Sequence, residues 1–404
     1  MARALFDGVR ILDLTWAYAG PVTIKYFADQ GAEVIHVESR TRPDPLREMP
    51  PFEGGIPGID RSAYCACLNS NKYSLALNLK HPRAKAMIER LVNWADIVAE
   101  NFAPGAMARL GMSYDDLVRI KPSIIMYSTS QQGQTGRHSK IAALGTQLVA
   151  LSGFTQLTGW PDREPTGPFG PYPDSIAAPI GAAAIAAALD YRHRTGKGMH
   201  IDLSQYEAAI NFSAPVVLDY TVNRHIRCVQ GNRSQCAVPH GVFPCKGDDC
   251  WCAIAVFTDE EWQALCEVMG NPDWVRMPEF ATLMRRKENE DALELHLASW
   301  TVNYTAEEIM YKLQAAGVPA GIVAKAEDVQ NDPQLAHRHY FWKLHHREIG
   351  EHSYEGPPFM LSKTPAELNR AGPCLGQDTE YVCRNILGID EESFSQLLAD
   401  GVFE

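Results

Sequence analysis

The sequence predicts an α/β protein: a large Rossmann-like domain with an open, mostly parallel sheet, and a smaller α+β domain. Three observations carry this. Strand-like and helix-like segments alternate through the first third of the chain, which is the pattern of a helix-covered parallel sheet. Residues 9–14 (VRILDL) and 33–38 (EVIHVE) flank a helical stretch that opens at Ala19-Gly20-Pro21, making a βαβ unit of ordinary length. Near residue 225 the texture changes to a hairpin pattern at 241–256, followed by amphipathic helical segments.

Taken in order, residues 9–14 form the first strand, and Gly31 closes the helix after it. Residues 33–38 and 73–78 (YSLALN) are the second and third strands. A helix from His81 to Ala95 carries Pro82 in its first turn and an Ala84, Met87, Ile88, Leu91 stripe. Ile97–Glu100 and residues 123–128 (SIIMYS) continue the sheet. Residues 154–175, rich in Pro, Gly and Thr, read as a loop. An Ala-rich helix over 176–191 then runs toward Arg194-Thr195-Gly196-Lys197-Gly198, and a strand at 200–204 leads into a helix around 205–212. Gly247-Asp248-Asp249 turns the hairpin, Asp259–Met269 is helical, and Thr305 with Glu308 forms a capping box. A last helix follows Asp390. The expected domains are 1–225 together with 331–404, and 226–330.

The chain has 404 residues, enough for two or three domains with substantial cores. It is 46% hydrophobic and 21% charged, which excludes extensive disorder. With a formal charge of −12 and no basic block, it is a poor match for nucleic acid or an anionic membrane surface. The most apolar stretch, Ile176–Leu189, is mostly Ala and contains Pro179 and Gly181, so it reads as a close-packed core helix and not a membrane span. The opening MARALFDGVRILDL runs into a strand without an apolar leader, so a cytoplasmic location is expected.

Ten cysteines are too sparse for a disulfide scaffold. Cys245, Cys250 and Cys252 have C-x4-C-x-C spacing, but there is no second half-site, and alternation through 250–256 fits a strand. They read as structural thiols, and no metal site is expected. The first strand-end turn lacks G-x-G-x-x-G, which weighs against a dinucleotide cofactor. The absence of H-E-x-x-H and G-x-S-x-G weighs against zincin and serine-hydrolase chemistry.

Two sets of residues carry chemistry. Asp174, in Gly170-Pro171-Tyr172-Pro173-Asp174-Ser175, precedes the Ala-rich helix. Local sequence reads it first as an N-cap; the functional reading is a carboxylate nucleophile favoured by the helix N-terminus. Arg40, Arg42 and Arg47 follow the second strand, and Arg109 follows the Pro104-Gly105 loop. Loops at the carboxyl ends of parallel strands are where such sheets bind ligands, and guanidinium forks suit phosphates. The pattern favours a phosphate-bearing small molecule.

These segments resemble the class III CoA-transferases. The similarity lies in Ala19-Gly20-Pro21, Gly31-Ala32-Glu33-Val34-Ile35, Leu68-Asn69-Ser70-Asn71-Lys72-Tyr73-Ser74 and Glu100-Asn101-Phe102-Ala103-Pro104-Gly105. It continues through Arg194-Thr195-Gly196-Lys197-Gly198, Gly231-Asn232-Arg233, Gly317-Val318-Pro319-Ala320-Gly321 and Leu375-Gly376-Gln377, in the family's order. The superfamily includes formyl-CoA, carnitine and aryl-succinate CoA-transferases and the α-methylacyl-CoA racemases. The resemblance implies that Asp174 is the nucleophile, passing through an aspartyl anhydride and an aspartyl-CoA thioester. It implies CoA contacts from Ala17, Tyr18, Arg40, Asn71, Lys72, Asn101, Ala106 and Arg109, with Arg42 and Arg47 able to exchange roles with Arg40. Coenzyme A enters as acyl-CoA substrate, with no tightly bound cofactor, and the second substrate is an organic carboxylic acid.

Two departures bear on the reaction. Tyr18 stands where formyl-CoA transferase has Gln, and no four-glycine run is present, which disfavours oxalate or formate. Leu144 and Gly145 stand where the racemases carry their His base, which disfavours racemisation. The implied activity is CoA transfer from an acyl-CoA such as succinyl-CoA. The alternatives are an acyl-CoA racemase or isomerase, and a non-catalytic partner subunit of a two-chain transferase. The family's interlocked ring-like dimer is the expected assembly, with a second copy or a related chain.

Overall fold

Adjacent residues along the first strands belong to opposite apolar layers. Ile11, Val34, Ile97 and Ile125 pack with one set of helices, while their neighbours Leu12, Ile35, Val98 and Met126 pack with another. This is the period of two of a strand buried on both faces. The computed structural model describes residues 4–141 and 144–404. In it β1 (Arg10–Asp13), β2 (Glu33–Glu38), β3 (Tyr73–Ala76), β4 (Ile97–Glu100), β5 (Ile125–Ser130) and β6 (His200–Ser204) form one sheet in the order β3-β2-β1-β4-β5-β6. Every pairing in it is parallel. This is the doubly wound order whose direction reverses between β1 and β4.

Met87, Ile88 and Leu91 of helix Ala84–Trp94 cover one face. Ile24 and Phe27 of helix Ala19–Ala28, with Ile185 and Ala188 of helix Tyr172–Thr195, cover the other. The 24-residue helix Tyr172–Thr195 is long and apolar enough to cross a membrane by length and composition. Its small residues serve packing instead. Ala177, Ala178 and Gly181 are buried, and Thr23 Oγ1 donates to Ala178 O at 3.4 Å. A Cβ at Gly181 would meet the Tyr127 hydroxyl at 2.3 Å.

The chain divides into two compact units. The first comprises 1–154, 167–226 and 334–404, including the hairpin β10 (Phe341–His346) and β11 (Gly350–Glu355). The second comprises 155–166 and 227–333, so it takes in a stretch that sequence texture assigns to the large domain. It is built on antiparallel β7 (His240–Pro244), β8 (Trp251–Ala255) and β9 (Ala320–Ile322), packed with helices Asp259–Val268, Glu290–Thr301 and Ala306–Ala315. The expected capping box forms: Thr305 Oγ1 accepts from Glu308 N at 3.2 Å, and Glu308 Oε2 accepts from Thr305 N at 2.9 Å. Cys245 and Cys252 are core residues. Among the described residues no group of three His, Cys, Asp or Glu side chains is placed to hold a metal.

At the carboxyl ends of β1 and β2 lies a buried charge network, which Lys72 joins from just before β3. Parallel register sets Asp13 beside His36. His36 Nδ1 lies 3.2 Å from Asp13 Oδ2, and His36 Nε2 lies 3.5 Å from Glu38 Oε1. Lys72 Nζ donates to Asp13 Oδ2 at 2.9 Å, and Arg47 grips Glu38 through Nε at 2.8 Å and Nη2 at 2.6 Å. Burial opposes the charged form of His36, but Asp13 and Glu38 outweigh it and raise its pKa from 6.5 to about 9. The folded chain therefore keeps a proton that the unfolded chain releases above pH 6.5. This contribution to stability is complete below that pH and is lost as pH rises to about 9. The thermal midpoint should fall across that window more steeply in the wild type than in a His36→Gln variant. Parallel profiles for the two proteins would show that His36 is neutral in the fold.

Candidate active site

The reversal between β1 and β4 creates a crevice at the strand ends, and reciprocal hydrogen bonds hold its two lips. Trp16 N donates to Asn101 Oδ1 at 2.9 Å, and Asn101 Nδ2 donates to Trp16 O at 2.7 Å. A cavity of about 700 Å³ opens here. Its apolar wall includes Trp16, Leu77, Leu79, Phe102 and Leu110, and three cations line it: Arg42, Lys80 and Arg109. None of the three has an ion pair among the described residues. Arg42 lies over the Trp16 ring, 4.8 Å from its centroid, and Trp16 meets Phe102 edge to face at 5.3 Å. An apolar slot with unpaired cations suits a ligand with a flat ring and phosphate groups.

The carboxylates beside the cavity do not cancel these cations. Glu38 is held far into its ionised form: burial opposes this, but Arg47 and His36 outweigh it. Asp44 Oδ1 accepts from Ala17 N at 2.8 Å and Leu46 N at 2.9 Å, while burial pushes the acid up to about 6. Ala17 has a φ of 61°, a left-handed conformation costly for a side-chain-bearing residue and held here by that bond to Asp44. Glu100 Oε2 accepts from Phe102 N at 2.8 Å and so shapes the second lip.

The same strained turn leads to Asp174. Tyr18 follows Ala17, and Ser175 Oγ lies 3.3 Å from the Tyr18 hydroxyl. Asp174 is not the N-cap that its local sequence suggests. The helix begins at Tyr172, with Pro173 in its first turn, which places Pro171 at the cap and Asp174 at the third helical position. Proline is at home there because its missing N–H has no intrahelical partner to lose. Among the described residues its Oδ2 is buried without a hydrogen-bond partner, and burial, opposed by the residue's own backbone N–H, raises the acid to about 6. Gly145 lies against it, since a Cβ there would come within 2.9 Å of Asp174 Oδ2. A carboxylate with no ion pair among the described residues, still mostly ionised at neutral pH, is equipped to act as a nucleophile.

The other expected contacts separate into two groups. Arg42, Ala106 and Arg109 line the cavity, and Ala17 and Tyr18 form the turn beside it. Arg40 is exposed and reaches Leu375 O at 3.4 Å. Four others are engaged elsewhere. Arg47 is buried on Glu38 and on Asp60, 2.7 Å away. Lys72 is fully buried, and beyond Asp13 it donates to Asn69 Oδ1 at 3.0 Å. Asn71, at φ 60°, clamps residues 367–370 through bonds of 2.9–3.0 Å. The carboxamide of Asn101 is taken up by Trp16. Lys80 and Trp16 were missed by sequence reasoning, although both follow parallel strands and the strand-end rule reaches them. Tyr64, which packs beside Tyr18, gave no sequence signal.

Residues 6–379 match the family model described as CoA-transferase family III. The chain belongs to that family. It is 33% identical over 396 residues to succinyl-CoA–D-citramalate CoA-transferase of Chloroflexus aurantiacus, covering 98% of this chain and 97% of that one. To the alpha subunit of succinyl-CoA–L-malate CoA-transferase of the same organism it is 31% identical over 394 residues, covering 97% and 91%. A CaiB/BaiF family protein from Brucella suis superposes with a TM-score of 0.86 at 27% identity, covering 95% of this chain and all of that one. This CoA-transferase is an enzyme whose substrates are CoA thioesters.

The exposed and the buried arginine should respond oppositely to truncation. Arg109→Ala should raise the KM for acyl-CoA about tenfold or more, with an unchanged thermal midpoint. Arg47→Ala leaves Glu38 buried without its partner and should cost about 3–5 kcal/mol of stability. Unaltered CoA affinity of the Arg109 variant by calorimetry would mark that residue as a surface charge.

Proposed function

We propose that this CoA-transferase moves CoA from succinyl-CoA to a small organic carboxylic acid, with Asp174 as the covalent nucleophile. One observation carries the reading: Asp174 has no ion pair among the described residues, and the turn beside it is the turn whose Trp16 lines the cation-bearing cavity. In this reading the cavity takes the nucleotide end of CoA. Arg42, Lys80 and Arg109 face its phosphates, and the pantetheine arm passes the Ala17–Tyr18 turn. The Asp174 carboxylate attacks the thioester carbonyl, the C–S bond breaks, and a mixed anhydride forms with CoA thiolate. The thiolate attacks the aspartyl carbonyl, releases succinate, and leaves an aspartyl-CoA thioester. The acceptor carboxylate attacks that thioester and again releases the thiolate. Thiolate attack on the acceptor carbonyl of the second anhydride then frees Asp174 and the new CoA ester. Activation passes between carboxylates without ATP and without net proton transfer. Exclusion of water protects both intermediates. Succinyl-CoA is favoured as donor because two relatives carry it in their names.

Asp174→Asn should keep stability to within about 1 kcal/mol, the size of a charge–helix interaction, while transfer falls by several orders of magnitude. Hydroxylamine added with acyl-CoA should leave a hydroxamate on residue 174. An adduct mapped to another acid, or full transfer by the Asn variant, would falsify the assignment. In the wild type the carboxylate is the active form. Activity should therefore be flat above pH 7 and fall about tenfold per unit below pH 6, the value to which burial raises this acid.

The proposed assembly is an interlocked dimer, with a second copy or with a related chain. Helix Ala214–Asn223 supports it, because it has no buried residue and exposes Val217, Leu218, Tyr220 and Val222. An apolar helix face of this kind calls for a partner. Light scattering at micromolar concentration should give twice the chain mass, and a stable monomer would count against the dimer.

A further inference from the structure

Two thiols face each other across the tip of the β7–β8 hairpin in the second unit. The register pairs Pro244 with Trp251, and the next residues, Cys245 and Cys250, continue it: Cys245 N donates to Cys250 O at 2.8 Å. Side chains directly opposite in an antiparallel pair share a face, and in a hydrogen-bonded pair the Cα atoms lie about 5.5 Å apart. A disulfide spans a Cα separation of about 4.4–6.8 Å, so this pair is within reach of one. The third thiol of the hairpin is not. Cys252 pairs with Phe243, which puts it diagonal to Cys245. Diagonal neighbours are about 7–8 Å apart, beyond that range.

Exposure and the turn single out the same pair. Cys245 and Cys252 are buried, whereas Cys250 is half-buried and is the thiol that a reagent meets first. Gly247 keeps it uncovered, since a Cβ there would come within 2.9 Å of Cys250 Sγ. The turn is held from two sides: Lys246 N donates to Tyr304 O at 2.8 Å, and Lys325 Nζ donates to Asp248 O at 3.3 Å. These bonds keep the two cysteines opposed. As thiols, Cys245 Sγ donates to Phe243 O at 3.6 Å and Cys250 Sγ to Asp248 O at 3.4 Å. An S–H is a weak donor, so turning both side chains toward each other sacrifices little. Burial, then the neighbouring Cys245, pushes the Cys252 thiol up to about 11, which leaves it inert.

We propose that Cys245 and Cys250 form a reversible redox-modification site, closed to a disulfide by hydrogen peroxide and reopened by small dithiols. Cys250 sulfur attacks a peroxide oxygen, the O–O bond breaks, water leaves, and a sulfenic acid forms. Cys245 sulfur then attacks the Cys250 sulfur. The S–S bond forms, the S–O bond breaks, and a second water leaves with the Cys245 proton. In all, two thiols give up two electrons and one peroxide accepts them.

Mass spectrometry of the full chain tests it. The reduced enzyme, treated with hydrogen peroxide, should lose the mass of two hydrogens and regain it with dithiothreitol. Trypsin cleaves after Arg233, Lys246 and Arg276, so without reduction the bridge should join peptide 234–246 to peptide 247–276. Fragmentation should assign the link to Cys245 and Cys250, not to Cys236, Cys252 or Cys266, which share those peptides. Cys245→Ser should abolish the link and leave a sulfenic acid on Cys250 that dimedone labels. Cys250→Ser should abolish both the link and that label. The wild-type map decides without either variant. A link through any other cysteine of the two peptides overturns the proposal, and so does a peroxide-treated chain that keeps both hydrogens.

Discussion

The fold's working end depends on a set of charges buried beneath it. Asp13 on β1, His36 and Glu38 on β2, Arg47 in the loop after β2 and Lys72 just before β3 are almost wholly shielded from water. Buried charges are tolerated only when each has a partner, and removing one leaves its counterpart exposed to the full desolvation penalty. The partners here come from β1, β2, the entry to β3 and the 39–47 loop, so satisfying the charges also fixes how those segments lie against one another. The cavity floor is placed by this requirement.

Above that floor the Trp16–Ala17–Tyr18 turn does two things at once. Its first residue is tied to Asn101 across the sheet reversal, and its second is forced into a left-handed conformation by Asp44. The hydroxyl of its third residue then meets Ser175, the neighbour of Asp174. Strain of this kind persists only when several bonds determine it together. The result is a rigid link between the slot that suits a nucleotide and the carboxylate that suits acyl chemistry. The two are otherwise more than 150 residues apart in sequence.

The arginines show why a charged residue's type and loop do not settle its use. Arg42 and Arg47 lie five positions apart on one loop. One stacks on Trp16 in the cavity; the other is sealed inside against Glu38 and Asp60. By pairing with Glu38, the buried arginine leaves the cavity cations without that carboxylate as a partner, although it does not line the cavity itself.

The sequence by itself determined the α/β class, the βαβ start, the hairpin and the capping box. These follow from periods of two and 3.6 and from turn and cap chemistry, which act over a few residues. It also marked the strand-end loops and the neighbourhood of Asp174. Tertiary structure decided what each side chain does there. Asp174 looks locally like a helix cap, but the helix starts at Tyr172, and among the described residues its Oδ2 is left without a partner. Asn71, Lys72 and Asn101 sit in the expected loops, yet partners 51 to 296 residues away in sequence engage them. Tyr64 reaches the site only because two distant segments pack together. Hydrogen bonds and desolvation are settled by neighbours in space, and a one-dimensional pattern does not contain them.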